Sequence, residues 1–580
     1  MPEPSGGTQA QRGKVLVLVC RDLSSARKGL DLEEVASALL ESDPAMTVEV
    51  VDGLCQRPEA VQRLVKLAGP SRLVIGACSV PEQGGAFRRQ ARKAGLDPFG
   101  VLVVELGHLC VRVHPPDEAN EKAKLLLAGA AERARAFPGT TSQHLKVQGY
   151  QLGHRVSRRD FLTMLPLQNT LVPRINDTAC VASIGCDICL RVCPQEALQR
   201  DGGSVRLSKE ECVACGRCVG ECPVNAIEFP QYSFAELTGE LRTLLTYPGA
   251  DLWPRATLFT CQKSQVLLRS MDEQDLGYPG NVLPVALPCL AMATPYLLLL
   301  AVHLGSAAVG LLSCGSQCAA GAGPLLERRV VWLEKLLVQL GLPSCRLKLL
   351  AATDGAETAR WLADLSAAWQ EGLMPTGGLA SADLPECLAD LVMRMAVGRS
   401  GAPEVAVADD DVPLGVVDID PDLCTACGLC ATRCPTGALV FKEEKEITLS
   451  FDAARCTGCG ACAAVCPERE RGAIAVRRVV DVAGLRQRRA IRVRDYSAVC
   501  TVCGRPFIPK KMLRHIQAGL ERRGKGFPEA LLQRCPDCRV LGVSATKDEE
   551  PTSFAKVSRL GECQALHRKP RLLGQPQQLP

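Results

Sequence analysis

Two stretches of this chain share one spacing, Cys-x2-Cys-x2-Cys-x3-Cys-Pro: CTACGLCATRCP at 424–435 and CTGCGACAAVCP at 456–467. Three thiols on one tight loop can cap one face of an iron–sulfur core, and the fourth begins a helix that points away. Glycines at 428, 458 and 460 let backbone amides approach the sulfides, and Pro435 and Pro467 end the loops. A structural zinc would use four of these eight cysteines and leave the duplication unexplained. The same architecture stands upstream, as CVASIGCDICLRVCP at 180–194 and CVACGRCVGECP at 212–223. Its first gap holds five residues where the other runs have two, which enlarges the loop before a regular Cys-x2-Cys-x3-Cys-Pro core.

Both units, 176–230 and 413–478, resemble bacterial-type two-[4Fe-4S] ferredoxins. In that family the fourth cysteine of each run ligates the other cluster. The resemblance implies that Cys424, Cys427, Cys430 and Cys466 hold one cluster and Cys456, Cys459, Cys462 and Cys434 a second. It implies likewise Cys180, Cys186, Cys189 with Cys222, and Cys212, Cys215, Cys218 with Cys193. Four [4Fe-4S] clusters in one chain make a wire, tuned by hydrogen bonds to sulfur, burial and net charge.

The chain has 31 cysteines in 580 residues, with 47% hydrophobic residues, enough for about four cored domains at roughly 150 residues each. The first residues, MPEPSGGTQAQRGK, contain no apolar run, so a secretory signal is not expected and a cytoplasmic setting is. There thiolate–metal sites are favoured over disulfides. The formal charge of +5 is uneven: from Glu468 onward 24 Lys and Arg face 11 Asp and Glu. That suits a solvated basic surface, or an acidic or nucleic-acid partner.

Residues 290–313 lack Asp, Glu, Lys and Arg and are long enough to span a membrane. Pro295, Gly305 and Gly310 divide them, so a buried helix over 295–304, a turn at Gly305 and a buried strand over 307–313 are expected instead. SRRDFLTML at 157–165 looks like a twin-arginine signal but lies far inside the chain, and reads as a helix start capped by Ser157.

Strand-like and helix-like segments alternate over 13–140 and again over 250–372, which predicts two parallel-sheet α/β domains interleaved with the two cysteine units. Residues 136–175, MPTGGLASADLPE and ADDDVP read as linkers, and 544–580 as a disordered tail. In the first α/β domain Cys20, Cys55 and Cys78 follow strands and Cys110 lies in ELGHLC. Strand ends gather on one sheet edge, so the four could meet there. The segment from GACSVPEQGG to EKAKLLL looks like the N-terminal domain of the A-type iron–sulfur component of heterodisulfide reductase, which implies a fifth [4Fe-4S] cluster on these cysteines. Asp22 stands where that family has a further cysteine. Structural thiols are the alternative.

The middle domain carries Cys261, Cys289, Cys314 and Cys318 and, with ERRVVWLEKLLVQLG, resembles the delta subunit of methyl-viologen-reducing hydrogenase. That resemblance implies a [2Fe-2S] cluster and electron transfer to heterodisulfide reductase. Two departures stand against it: the family's opening Cys-x2-Cys is Cys261-x2-Ser264 here, and the second couple is one residue shorter. Cys345, Cys387 and Cys563 read as bystanders. Over 481–543, Cys500-x2-Cys503 and Cys535-x2-Cys538 form two knuckles, the pattern of a zinc ribbon, with a single rubredoxin-like iron as the alternative.

No Gly-x-Gly-x-x-Gly flavin fingerprint, no phosphate loop and no adjacent Cys-Cys occurs. The expectation is an electron-transfer subunit of a cytoplasmic oxidoreductase complex without catalytic residues of its own. Its partners would be flavin-, hydrogenase-, dehydrogenase- or heterodisulfide reductase-type subunits, with no nucleic acid and no membrane span. The alternatives are a self-contained oxidoreductase using the middle-domain cysteines and a nucleic-acid-associated scaffold using the basic C-terminal region.

Overall fold

The computed structural model describes residues 13–24, 29–79, 83–148, 168–343, 346–351, 354–367, 384–397, 405–487, 489–524 and 528–540. Ser157 and its segment, the linker core at 374–383, the tail, Cys345 and Cys563 lie outside them. Residues 1–494 form one compact unit and 495–580 a second.

The first α/β domain is a four-stranded parallel sheet of β1 (Val15–Cys20), β2 (Met46–Val51), β3 (Arg72–Ala77) and β4 (Val101–Glu105), in the order β2-β1-β3-β4. β1 is buried throughout, as its unbroken run VLVLVC requires of a central parallel strand. Helix α1 (Pro116–Ala136) covers the sheet; Pro116 opens it, Asp117 and Glu118 sit at its positive end, and Arg133 and Arg135 at its negative end. The middle domain repeats the plan with β5 (Ala256–Cys261), β6 (Val282–Leu287), β7 (Val309–Leu312) and β8 (Leu347–Leu350), ordered β6-β5-β7-β8 and all parallel. The apolar stretch at 290–313 resolves as expected, into a helix over Pro295–His303, a left-handed Gly305 (φ 100°) and β7. Among the described residues no helix is long and apolar enough to cross a membrane.

Between the α/β domains runs α2 (Phe234–Thr246), started by a reciprocal Ser233–Glu236 capping box. It packs along α1, where Arg133 pairs with Glu240 at 2.7 Å and Leu244 fills the notch at Gly129. The first cysteine unit has a small core of its own, Ala182, Leu198, Val205, Cys218 and Ile227. In the second cysteine unit, strand Ile474–Asp481 lies between Ala406–Ala408 and Gly415–Ile419. The strand that starts at Ala490 adds to the hairpin of Leu439–Glu443 and Ile447–Phe451. Residues 481–494 therefore belong structurally with this unit, and the compact C-terminal unit begins at Asp495.

The two α/β domains meet around a buried lysine. Lys122 of α1 is fully buried, 2.9 Å from His114 Nε2, and donates to Tyr278 Oη of the middle domain at 3.0 Å. Burial pulls its ammonium down to about 7. An unfolded lysine keeps its proton to about pH 10.4, so the folded form lacks a proton that the unfolded form holds between those values, and this group adds stability as pH rises through that window. The stability difference between wild type and Lys122→Met, followed by thermal unfolding, is expected to move in favour of the wild type from pH 7 to pH 10. A difference independent of pH would show that Lys122 is not buried as described.

Candidate iron–sulfur and metal sites

In the first cysteine unit each run ends on a one-turn helix, Ile188–Val192 before Cys193 and Arg217–Glu221 before Cys222. The helices carry the final cysteines across to the opposite loop. Burial, followed by the neighbouring Cys222, Cys186 and Cys180 thiolates, pushes the Cys189 thiol up to about 12. Burial also raises Cys218 well above its ordinary value, with Cys215, Cys212, Cys189 and Cys193 adding to it. Cys222 thus acts on Cys186 and Cys189, and Cys193 on Cys212, Cys215 and Cys218. Backbone N–H groups already point at the sulfurs, Ala214 to Cys212 Sγ at 3.4 Å and Ala226 to Cys222 Sγ at 3.2 Å.

The second unit repeats this. Cys430 is driven to about 12 by burial and then by Cys424, Cys427, Cys462 and Cys466. Cys456 reaches about 12 by burial, with Cys462, Cys434 and Cys459 among the charges acting on it. The residue two after the first cysteine is left-handed in all three regular runs: Ala214 (φ 53°), Ala426 (φ 56°) and Gly458 (φ 64°). Alanine accepts that conformation at a cost of about 1 kcal/mol, which the loop bears in order to turn its amides inward. These sets, mostly half-buried and with backbone N–H groups donating to Cys212, Cys222 and Cys424, fit [4Fe-4S] clusters.

In the first α/β domain Cys20 ends β1, while Cys55 and Cys78 follow β2 and β3, the strands that flank it. Their sulfurs lie within 4.8 Å of one another, and the Cys78 N–H donates to Cys55 Sγ at 3.3 Å. Hydrogen bonds from Cys55 and then Cys78 hold the Cys20 thiol far below its ordinary value, while Cys55 and Cys78 are pushed up in turn. Cys110 is not in the group. The chain leaves β4 through a π-helical turn, Gly107–Val111, in which Cys110 is fully buried beside Lys122. The residue that does reach the group is Asp22, whose carboxyl contacts Cys20 and accepts from Gln56 Nε2 at 3.4 Å.

The middle domain places cysteines at the same three strand ends: Cys261 closes β5, and Cys289 and Cys314 follow β6 and β7. Cys289 and Cys318 Sγ are 3.8 Å apart, and Cys314 contacts both Cys261 and Cys318, so the four thiols form a row. Four adjacent thiols fit a [2Fe-2S] cluster. Ser264, in place of a cysteine, is fully buried and turned back on its own loop, its Oγ accepting from Cys261 N at 2.9 Å. Sequence reading missed this equivalence of the two sheets; the signal was present in VLVLVC and RATLFTC, each a buried strand ending in cysteine.

In the C-terminal unit Cys500, Cys503, Cys535 and Cys538 converge with all sulfurs within 4.8 Å, and Cys503 and Cys535 Sγ are 3.7 Å apart. Tetrahedral zinc with Zn–S of about 2.3 Å needs sulfurs about that close. Desolvation of Cys500 is outweighed by N–H donors of Cys535, Cys503 and Val502, which bring it down to about 6. Arg505 lowers Cys503. Cys387 is exposed and joins none of these groups.

Comparison with known proteins agrees with this geometry. The model of the 4Fe-4S dicluster domain matches residues 423–470, that of the LdpA Fe-S cluster-binding domain 184–233, and that of the methyl-viologen-reducing hydrogenase delta subunit 257–371. The first A-type iron-sulfur component of CoB–CoM heterodisulfide reductase from Methanopyrus kandleri is 27% identical over 139 residues, 23% of this chain and 21% of the relative. Electron transport protein HydN of Escherichia coli is 45% identical over 40 residues, 7% and 23% of the two chains. Pyruvate synthase subunit PorD of Methanocaldococcus jannaschii is 37% identical over 59 residues, 10% and 65%. The chain spans about a fifth of the length of its heterodisulfide reductase relatives. Sequence and geometry together make this an iron–sulfur protein of the electron-transport type, similar to the A-type component of heterodisulfide reductase, to dicluster ferredoxins and to the hydrogenase delta subunit.

Proposed function

We propose that the chain is an electron-relay subunit of a cytoplasmic oxidoreductase complex, carrying single electrons between redox partners of the hydrogenase, dehydrogenase, flavin or heterodisulfide reductase type. What supports this reading is the doubling of the Cys-x2-Cys-x3-Cys-Pro runs inside the matched iron–sulfur domains, with Cys193 acting on the thiols of the Cys212 run and Cys434 on those of the Cys456 run. Such sets suit four [4Fe-4S] clusters, which take up and release one electron each. Cys20, Cys55 and Cys78, with the Asp22 carboxyl in reach, would hold a fifth centre, and the middle-domain row a [2Fe-2S] cluster. The C-terminal four-cysteine site would hold zinc and stabilise a unit with little core of its own, Cys500, Cys535 and Cys538. When bound, the clusters supply the redox chemistry. The chain's own part is to bury them, aim amides at their sulfurs and fix their spacing.

Iron, zinc and acid-labile sulfide analysis with EPR on anaerobically purified protein tests this reading. About 16 irons are expected from the ferredoxin-like units alone, about 20 with the N-terminal centre and about 22 with the middle one, at four and two irons per cluster type. A chain with only a few irons would overturn it. Cys193→Ala is expected to remove the cluster of Cys212, Cys215 and Cys218; loss of the Cys180 cluster alone would refute the exchange. Cys55→Ala is expected to lose the N-terminal metal and Cys110→Ala to retain it, read as metal per chain. Chelation of zinc is expected to unfold the C-terminal unit and leave the iron count unchanged, read by zinc release and proteolysis at 495–540.

A further inference from the structure

The irregular five-residue gap before Cys186 occupies a definite place in the fold. The gap residues form a short helical turn, Ala182–Ile184, and a left-handed Gly185 (φ 102°). Gly185 lies under Arg433 of the second cysteine unit: a Cβ there would fall 3.2 Å from Arg433 Nη1. Cys186 and Cys459 line one cavity of about 250 Å³, together with Arg433, Pro435 and Gly460. The enlarged loop therefore faces the loop of Cys456, Cys459 and Cys462. A two-residue gap would remove the surface that makes this contact.

The opposite side of the first unit is fastened to the middle domain. Met292 and Thr294, just past Cys289, pack on the glycines of the Cys212 run, where a Cβ at Gly216 would fall 2.7 Å from Met292 Sδ and one at Gly220 would meet Thr294. Gln195, two residues past Cys193, donates to the carbonyl of Ala319, the neighbour of Cys318, at 3.1 Å. Arg329 of the middle-domain helix α3 (Gly323–Gln339) is 2% exposed. It pairs with Glu221, the neighbour of Cys222, and donates to the carbonyls of Ala291 and Ala293 at 3.0 Å each. Arg329 is buried and Glu221 half-buried, so losing Glu221 would leave a buried guanidinium without its carboxylate, which is destabilising.

We infer that the first cysteine unit is the central link of a single series: middle-domain cysteines, Cys212 set, Cys180 set, Cys456 set, Cys424 set, with Cys186 and Cys459 as the junction between the two ferredoxin-like units. The series rests on the reading that these sets hold clusters. With clusters bound in these sets, each step would move one electron from a reduced set to an oxidised neighbour, with no proton or group transferred. A reduced redox subunit supplies the electron at one end and an oxidised one removes it at the other. Within each unit the two sets are already adjacent, since Cys189 acts on Cys218 and Cys462 on Cys430. Among the described residues the junction joins the two units at the enlarged loop.

The test uses the full chain, prepared anaerobically and reduced with dithionite. The double variant Cys212→Ala, Cys424→Ala keeps the two junction clusters, and its EPR spectrum is expected to show spin–spin splitting or broadening. The variant Cys180→Ala, Cys289→Ala, Cys456→Ala keeps the two outer ferredoxin-type clusters without the middle-domain neighbour, and their signals are expected to be non-interacting. Full iron with no interaction in the first variant, or interaction in the second, overturns the series. Absence of ferredoxin-type iron from the wild type overturns the electron-relay reading itself, which is a distinct result. Should the variants lose more than the targeted clusters, a photoreactive benzoylphenylalanine in place of Ile184 in the otherwise native chain decides. Crosslinks to residues 459–465 support the junction, and crosslinks only elsewhere overturn it.

Discussion

In the proposed ligand sets each cysteine-rich loop of the two ferredoxin-like units is one thiol short, and the other loop would supply it. Cys193 would complete the loop of Cys212, and Cys222 that of Cys180; Cys434 and Cys466 would do the same downstream. The one-turn helices ahead of Cys193 and Cys222 set this reach. The first unit has a buried core of five residues, one of them Cys218. So small a core cannot by itself offset the conformational entropy of ordering two loops. Folding and metal binding in such a unit would be coupled, since burial disfavours the thiolates that a metal centre would stabilise.

The two α/β domains solve a different problem with one topology. Both order their strands so that the first lies between the second and third, and both put cysteine at the carboxyl ends of those three. Where strand order reverses, the loops diverge and leave an opening that ligands can enter. The N-terminal domain gathers three thiols tightly with a carboxyl beside them; the middle domain lines up four. The residue three past the strand-end cysteine of the middle domain, Ser264, satisfies its own loop and has left the sulfur row.

The cysteine runs were legible because their chemistry is local: a tight loop and a helix start within a dozen residues. The convergence of Cys20, Cys55 and Cys78 was legible for a related reason, since each closely follows a strand of a parallel sheet. Cys110 was not, because a π-helical turn after β4 diverts it toward Lys122, and nothing in ELGHLC announces such a turn. The apolar stretch at 290–313 yielded to its proline and glycines. The fastening of the first unit was beyond reach, since Glu221 and Arg329 are ordinary charged residues far apart in the chain. The boundary near 481 was misplaced because the strand at Ala490 is claimed by a sheet whose other members lie forty residues earlier.

The contact between Lys122 and Tyr278 crosses from one α/β domain to the other deep inside the protein. Modular proteins of this composition are commonly imagined as beads, shuffled by recombination and joined by linkers. Here an incoming N-terminal bead would have to arrive with a lysine that finds a phenol on a bead it has never met. A resident middle bead would be left with a buried hydroxyl and no donor. The domains whose outlines are plainest in the sequence are therefore coupled through one buried contact, and a substitution at 122 or 278 strips the other residue of this partner.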